Sequence, residues 1–345
     1  MALRHAFVEA AVPTSERTQV DGLPPDVAVV IVDWNAGELV TRCLSALGRQ
    51  TIRPRTVMIV DNASASETWR HVLPDSLPIE MIRLAGNTGF AAGTNYGVAL
   101  VPEAKWIALL NPDAFPEPDW LARLLAAAER HPEYSFFASR QLIAEDPARL
   151  DGTGDPYAVS GLAWRRDRGR PVGEGRTAPG EVFGPCAAAA LYRRDALVGV
   201  GGLDRSFFCY FEDVDLAFRL RLAGHRCLYV PDAVVHHVGS ASSGWRSDFS
   251  VYYGHRNLVW TFAKNMPWPL LALYWPHHVL VNLISLAWFT LRGQGRAIWK
   301  AKRDALRGLP RVLRQRRDIQ ARRLVGSWEL RRTMVRGWRG FGLGR

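Results

Sequence analysis

The stretch "VAVVIVDWNAGELVTRCLSAL", residues 27–47, decides the fold. Its first six residues are apolar without alternation, the pattern of a short strand covered on both faces. Beyond Asp33 and Asn35, the apolar residues Leu39, Cys43, Leu44 and Leu47 recur at helical spacing. A strand that passes through two polar residues into a helix is the first half of a βαβ unit.

The pattern repeats downstream. "TVMIV" (56–60), "IEMIRL" (79–84) and "KWIALL" (105–110) are further strand candidates, with a Gly-rich turn and "TNYGVAL" before the last. This alternation predicts an α/β domain with a mostly parallel, Rossmann-like sheet flanked by helices. The polar residues gather at one place in it. Asp33 and Asn35 follow the first strand, Asp61 and Asn62 the second, Asn87 the third, and Asn111 and Asp113 the fourth. Ligands of open parallel sheets bind outside the carboxyl ends of the strands. Any one of these residues is explained by ordinary turn chemistry; four consecutive strands ending this way point to a binding site.

Three motifs carry chemistry. In "NTGFAAGTNYG" (87–97) the glycines do not form G-x-G-x-x-G, so a dinucleotide turn is unsupported, although Gly89 still permits close backbone approach. In "LLNPDAFPEPDW" (109–120), Asn111 and Asp113 offer oxygens to a hard divalent cation. Asp119 is better placed to cap the helix near Trp120, which leaves Asp113 free. In "FFCYFEDVDLAFRLRLAGHRCLYVPDAVVHH" (207–237), periodicity predicts a helix over 214–223 stopped by Gly224. Asp215 and Arg219 then pair on its surface. Asp213 is either an N-cap or, with Glu212, a candidate general base. His236 and His237 alternate across a strand, so one faces inward and the other the crevice. Residues 151–182, rich in Gly, Arg and Pro, read as a long mobile loop.

The net charge of +11 is unevenly distributed. Residues 292–345 hold 17 Lys and Arg against three acids, which leaves the first 291 residues at −3. Only the tail calls for an anionic partner. Four cysteines without C-x-x-C spacing, and a leader (1–25) without a secretory h-region, predict a reducing cytosol.

In order, "VVIVDWN", "IVDNAS", "NTGFAAGTNYG", "LLNPDA", "GGLDRSFFCYFEDVDLAFRLRLAGHRCLYVP" and "VVHHVG" resemble the inverting glycosyltransferases of family 2, which have the GT-A fold. The likeness is greatest to rhamnosyltransferase-like and galactofuranosyltransferase-like members. It implies that Asp33, Asn35, Asp61, Asn87, Gly89 and Asn111 contact a nucleotide-sugar donor. Asp113 stands in the family's D-x-D metal motif, whose first carboxylate is Asn111 here, and His237, or by a shifted alignment His236, completes a Mn²⁺ or Mg²⁺ site. The resemblance makes Asp213 the catalytic base beside Glu212. Phe208 and Tyr210 are expected to wall the acceptor, and Arg256 in "YYGHRN" to meet its diphosphate.

From Met266 to Leu291 no residue is charged. That length approaches a membrane span, yet three prolines interrupt it, and a crossing would export the basic tail against the positive-inside rule. The expected division is therefore a leader (1–25), a GT-A domain (26–262), and an apolar interfacial segment with an Arg-rich tail (263–345) on the inner leaflet of the cytoplasmic membrane. A polyprenyl-diphosphate-linked or polysaccharide acceptor fits that location. The rival readings are a non-catalytic nucleotide-sugar-binding scaffold and, because the tail lacks any recognised module, a less favoured nucleic-acid binder.

Overall fold

β1 (Val27–Asp33) is buried along its whole length in the computed structural model of the chain, which describes residues 26–65, 77–239 and 247–336. Val27, Val29 and Ile31 enter one apolar core, and Ala28, Val30 and Val32 enter another on the opposite face. Burial on both faces is why the run does not alternate. The expected leader lies outside the described residues.

α1 (Glu38–Gly48), β2 (Thr56–Asp61), β3 (Ile79–Arg83), α2 (Phe90–Ala99) and β4 (Trp106–Leu110) follow. The strands pair in parallel in the order β3-β2-β1-β4, so their carboxyl ends share one edge. α1 covers one face and α2 the other. α2 lies so close that a Cβ on Gly97 would come within 2.5 Å of the Val30 side chain.

The second half of the sheet is mixed. β5 (Ala114–Pro116), α3 (Trp120–Arg130), β6 (Phe136–Ile143), β7 (Asp146–Gly152), β8 (Gly180–Val182), β9 (Ala189–Arg193), α4 (Arg194–Gly199), α5 (Glu212–Leu222) and β10 (Cys227–His237) complete it. The order continues β4-β9-β6-β10-β5, with β9 antiparallel to both neighbours and β6 parallel to β10. The α/β expectation holds, with antiparallel strands inserted in this half.

Three local expectations need correction. Residues 151–182 are ordered rather than a bare loop: Asp155 and Gly184 exchange backbone hydrogen bonds, and Thr153 N–H donates to Arg166 O. Backbone groups drawn into a protein interior must be paired, and here they pair with one another. α5 begins at Glu212, two residues early, because Phe211 adopts the left-handed conformation (φ 68°) and caps it, so Asp213 is no N-cap. The Asp215–Arg219 pair forms at 2.8 Å, but it is buried (0% and 7% exposed) rather than on the surface. Lys264 Nζ, 2.8 Å from Asp215, and the Asn265 amide complete that network.

Four helices end the described chain: α6 (Asp248–Asn265), α7 (Trp268–Phe289), α8 (Gly295–Ala321) and α9 (Ser327–Arg332). The expected boundary after residue 262 falls inside the last turn of α6. Leu270 and Tyr274 of α7 and Leu330 of α9 pack into the same core as β1 and α5. The C-terminal helices therefore share the α/β domain's interior.

Candidate active site

The turns after β1, β2 and β3 are stitched together by the side chains that the sequence singled out. Asp33, fully buried, accepts from Ala36 N–H through Oδ1 and from the Ser64 hydroxyl through Oδ2. Asn35 accepts from Ala65 N–H at 2.7 Å and donates its own N–H to Ser64 Oγ. Asp61 accepts from Ser64 N–H and lies 3.4 Å from Arg83. Asn62 bridges to the next turn: its Nδ2 donates to Asn87 Oδ1, and its Oδ1 accepts from Thr88. Asn87 also accepts from Gly89 N–H. Gly89 (φ 83°) is required on two counts, since a Cβ there would meet Phe208 O at 2.5 Å. These contacts make one crevice from three separate turns.

Asp113 and His237 meet because β5 and β10 are antiparallel, pairing His237 with Ala114. Val238 N–H donates to Asp113 O at 3.0 Å, which fixes the register. His237 Nε2 lies 3.4 Å from Asp113 Oδ1, and Nδ1 lies 2.8 Å from Asp151 Oδ2. The expected choice between the two histidines is resolved by strand alternation: His236 turns to the other face, toward Glu117 Oε1. Burial opposes charge on His237, but its bonds to Asp113 and Asp151 outweigh that and raise its pKa. Burial likewise disfavours the Asp113 carboxylate, yet His237 holds the Asp113 pKa below its ordinary value.

These residues fit a divalent cation. Asp151 fixes the tautomer of His237 with the proton on Nδ1, the usual arrangement behind a metal-ligating imidazole. Asn111 Oδ1 is buried without a hydrogen-bond partner, and His237 Nε2 is buried against Asp113 Oδ1. Oxygen and imidazole donors suit Mn²⁺ or Mg²⁺. A second group, Asp155, Cys186 and Asp213, brings one ligand atom each within 4.8 Å of one another. It fits less well, because burial pushes the Cys186 thiol up to about 12 and holds the Asp155 carboxyl well above its ordinary pKa.

Asp213 Oδ2 accepts from Ala187 N–H at 3.1 Å, and Oδ1 from Val214 N–H at 2.8 Å. Next to Ala187, the Ala188 carbonyl accepts from Asn111 N–H, so the N-P-D turn and Asp213 are held by adjacent residues. Burial raises the Asp213 pKa despite these donors and Arg165. Glu212 is buried with Oε2 unpartnered, and burial and the Asp213 charge push its pKa well up. Asp213 retains some exposure. Of the two, it is the one a substrate can reach.

The aromatic stretch before α5 is conformationally costly. Phe208, Tyr210 and Phe211 all have φ near 67°, a region that non-glycine residues adopt only when their surroundings enforce it. Asn257 Nδ2 supplies that enforcement, lying 2.7–3.0 Å from the carbonyls of Phe207, Cys209 and Tyr210. Phe208 stacks on Tyr253, and Tyr210 meets Phe249, which forms an aromatic wall. Arg256 is placed otherwise than expected. It is buried, and its guanidinium donates to Ser206 O, Phe207 O and Asn257 Oδ1. With Nε on Asn257 and Nη2 on two loop carbonyls, it clamps the loop.

Sequence reasoning missed Asp151, Asp155 and Arg165. All three lie in the segment taken for a loop. Arg165 bonds Asp151 and lies 3.2 Å from His237 Nδ1, and Asp155 Oδ1 is buried and unpartnered. The run of arginines facing acids in "LDGTGDPYAVSGLAWRRDRGR" is the only signal that could have marked them.

The model of the family described as "Glycosyl transferase family 2" matches residues 28–200. An N-acetylglucosaminyl-diphospho-decaprenol L-rhamnosyltransferase of Mycobacterium tuberculosis is 28% identical over 278 residues, 72% of this chain and 87% of that one. Galactofuranosyltransferase GlfT1 of Mycolicibacterium smegmatis is 27% identical over 57% of this chain and 66% of its own length. Among solved structures, mannosyltransferase PcManGT from Pyrobaculum calidifontis, in complex with GDP-Man and Mn²⁺, superposes with a TM-score of 0.52 at 19% identity. That match covers 89% of this chain and 88% of the other, and supports the fold.

Proposed function

The chain belongs to glycosyl transferase family 2, and from that premise we propose that it moves a sugar, rhamnose foremost, from a nucleotide-sugar donor to a lipid-linked or polysaccharide acceptor, with inversion. The product would serve bacterial cell-surface glycan synthesis. Asp213 carries this reading: a partly exposed carboxylate of raised pKa, with both oxygens oriented by backbone N–H groups. A base of raised pKa is matched to taking a proton from a sugar hydroxyl near neutral pH. As Asp213 takes that proton, the acceptor oxygen bonds to the anomeric carbon on the face opposite the nucleotide. The bond from that carbon to the diphosphate oxygen breaks, its electrons leave with the nucleoside diphosphate, and one displacement inverts the centre.

The crevice built from Asp33, Asn35, Asp61, Asn87 and Gly89 would receive the nucleoside. Asp113 and His237, with Asn111 adjoining, would hold the divalent ion; when bound it supplies Lewis-acid neutralisation of the leaving diphosphate. Phe208 and Tyr210 would stack on the acceptor sugar. These roles fall within residues 26–262, and residues 263–345 would keep the enzyme on the cytoplasmic face of the membrane, where a polyprenyl-diphosphate acceptor resides. The relative named for N-acetylglucosaminyl-diphospho-decaprenol supports that acceptor class.

The test is thermal stability of the purified chain with dTDP, UDP or GDP, each with and without Mn²⁺. A ligand at a hundredfold its Kd stabilises by about 2.7 kcal/mol. A Mn²⁺-dependent shift with one nucleoside diphosphate is the expected result and names the donor class. No shift with any of them removes the donor-site assignment.

A further inference from the structure

Among the described residues 16 large apolar side chains are exposed, and 13 of them lie between Trp268 and Trp328. Soluble surfaces rarely gather apolar area in this way unless something covers it. α7 and α8 carry most of it. A π-helical turn at Thr290–Gln294, with Gly293 at φ 83°, separates them, and Lys302 of α8 bonds Asn282 of α7. The two helices therefore form a hairpin.

On α8, Trp299, Leu306 and Leu313 are 58%, 64% and 48% exposed and stand seven residues apart, so they form one stripe. Arg296, Lys300, Arg303, Arg307, Arg314 and Arg317 are all exposed around it. An apolar stripe edged with cations is complementary to a bilayer whose surface is anionic and whose interior is hydrocarbon. A second copy of the same surface would set arginines against arginines.

We propose that the α7–α8 hairpin docks flat on an anionic lipid bilayer, with the apolar stripe in the acyl boundary and the flanking cations on lipid phosphates, and that α7 does not cross the membrane. By length and composition alone the helix beginning at Trp268 could cross. Its packing argues otherwise. Leu270 and Tyr274 enter the core shared with β1 and α5, and His278, one turn further on, is buried as well. The His278 ring stacks on Phe262 at 3.9 Å, and its Nδ1 lies 2.8 Å from Ser160 O. A helix whose first three turns are packed on the α/β domain lies beside the bilayer with that domain. This rests on the lipid-linked acceptor only for its purpose: a flat dock holds the cleft at the depth of a membrane-borne diphosphate.

The experiment is flotation of the full chain with phosphatidylcholine vesicles and with vesicles of equal parts phosphatidylcholine and phosphatidylglycerol. The parent is expected to float only with the anionic vesicles and to be released by high salt. Leu306→Glu combined with Leu313→Glu, both at exposed positions, is expected to weaken flotation at least about tenfold with an unchanged melt. Alkaline carbonate is expected to strip the protein from native membranes. Unchanged flotation of the double variant overturns the assignment of the stripe, and resistance to carbonate overturns the flat geometry. Concentration-dependent dimers that dissociate in the double variant, without vesicle binding by the parent, give the surface to a second copy. Nucleotide-induced stabilisation of the same samples separates the two proposals, because the dock can stand where the donor reading fails, and the reverse.

Discussion

At the ends of β1 and β2, Asp33, Asp61 and Asn62 are each hydrogen-bonded within or between the turns, whereas around α5 Glu212 Oε2 and Asp155 Oδ1 are buried with no hydrogen-bond partner. The first region is a finished template. Its polar groups are satisfied without a ligand, so it keeps its shape in the empty state and, under the proposed function, would offer a preformed surface to a nucleoside. The second region is unfinished. Burying polar atoms without partners costs about 1–3 kcal/mol each, and three left-handed residues within Phe208–Phe211 add to that. A substrate and a cation can complete what the fold leaves open. Under the proposed function, binding and chemistry fall to differently built halves of one cleft, and substitutions in the two halves should fail in different ways.

The largest break is expected from Asp213→Asn. It keeps the shape and the backbone donors but removes the proton acceptor, so kcat should fall about 10³-fold with nucleotide affinity unchanged. A matching loss of nucleotide affinity would erase the distinction between the halves. In the parent, the acidic limb of kcat/KM should lie above the ordinary carboxylate range, because burial raises the Asp213 pKa and activity needs its deprotonated form.

Next comes the cation site. Asp151→Asn leaves Asp113 and His237 in place but weakens the tautomer lock, and should lower Mn²⁺ affinity by about 10–100-fold, read by titration calorimetry. Mn²⁺ affinity in the parent should rise with pH above 6.5, since the proton to be displaced from His237 is held more tightly than usual. Flat pH dependence would place the cation elsewhere, with the Asp155–Asp213 group the first alternative.

A smaller effect sharpens the contrast. Asn257→Ala removes the amide that holds three carbonyls of the aromatic stretch. It should lower kcat by about tenfold through misplacement of the residues leading to Asp213, while nucleotide-induced stabilisation stays at the parent's level. Equal damage to both measurements would mean that the stretch supports the whole fold.

The smallest effect lies outside both halves. Burial pushes Lys302 down from 10.5 to about 7. Between those values the unfolded chain holds the proton and the folded chain does not, so stability rises with pH across that window. Lys302→Met should flatten this slope and raise the melting temperature at pH 7 by a few degrees, with catalysis unaltered.

The template half was legible because its residues follow their strands directly, and β1, β2 and β4 are marked by apolar runs that no other element explains. Asp113 and His237 were legible as candidates, and the histidine was ambiguous by one residue until β5 fixed the register. The unfinished half was read only in outline. Asp151, Asp155 and Arg165 sit in a segment whose Gly and Pro content imitates a free loop, and nothing local shows that Arg256 bonds the carbonyls of Ser206 and Phe207.

The sequence by itself determined the alternation of strands and helices, the gathering of Asp and Asn at strand ends, and the basic, apolar C-terminus. These follow from local periodicity and from the order of the chain, which any window of residues displays. Only the tertiary structure decided that His237 and not His236 faces Asp113, that Asp215 and Arg219 are buried, that Arg256 clamps a loop, and that the first half of α7 packs on the domain. Each of those depends on partners some 50 to 125 residues away in the chain, or on a strand register set by such a partner. Local pattern shows which side chain is available; only packing settles which neighbour consumes it.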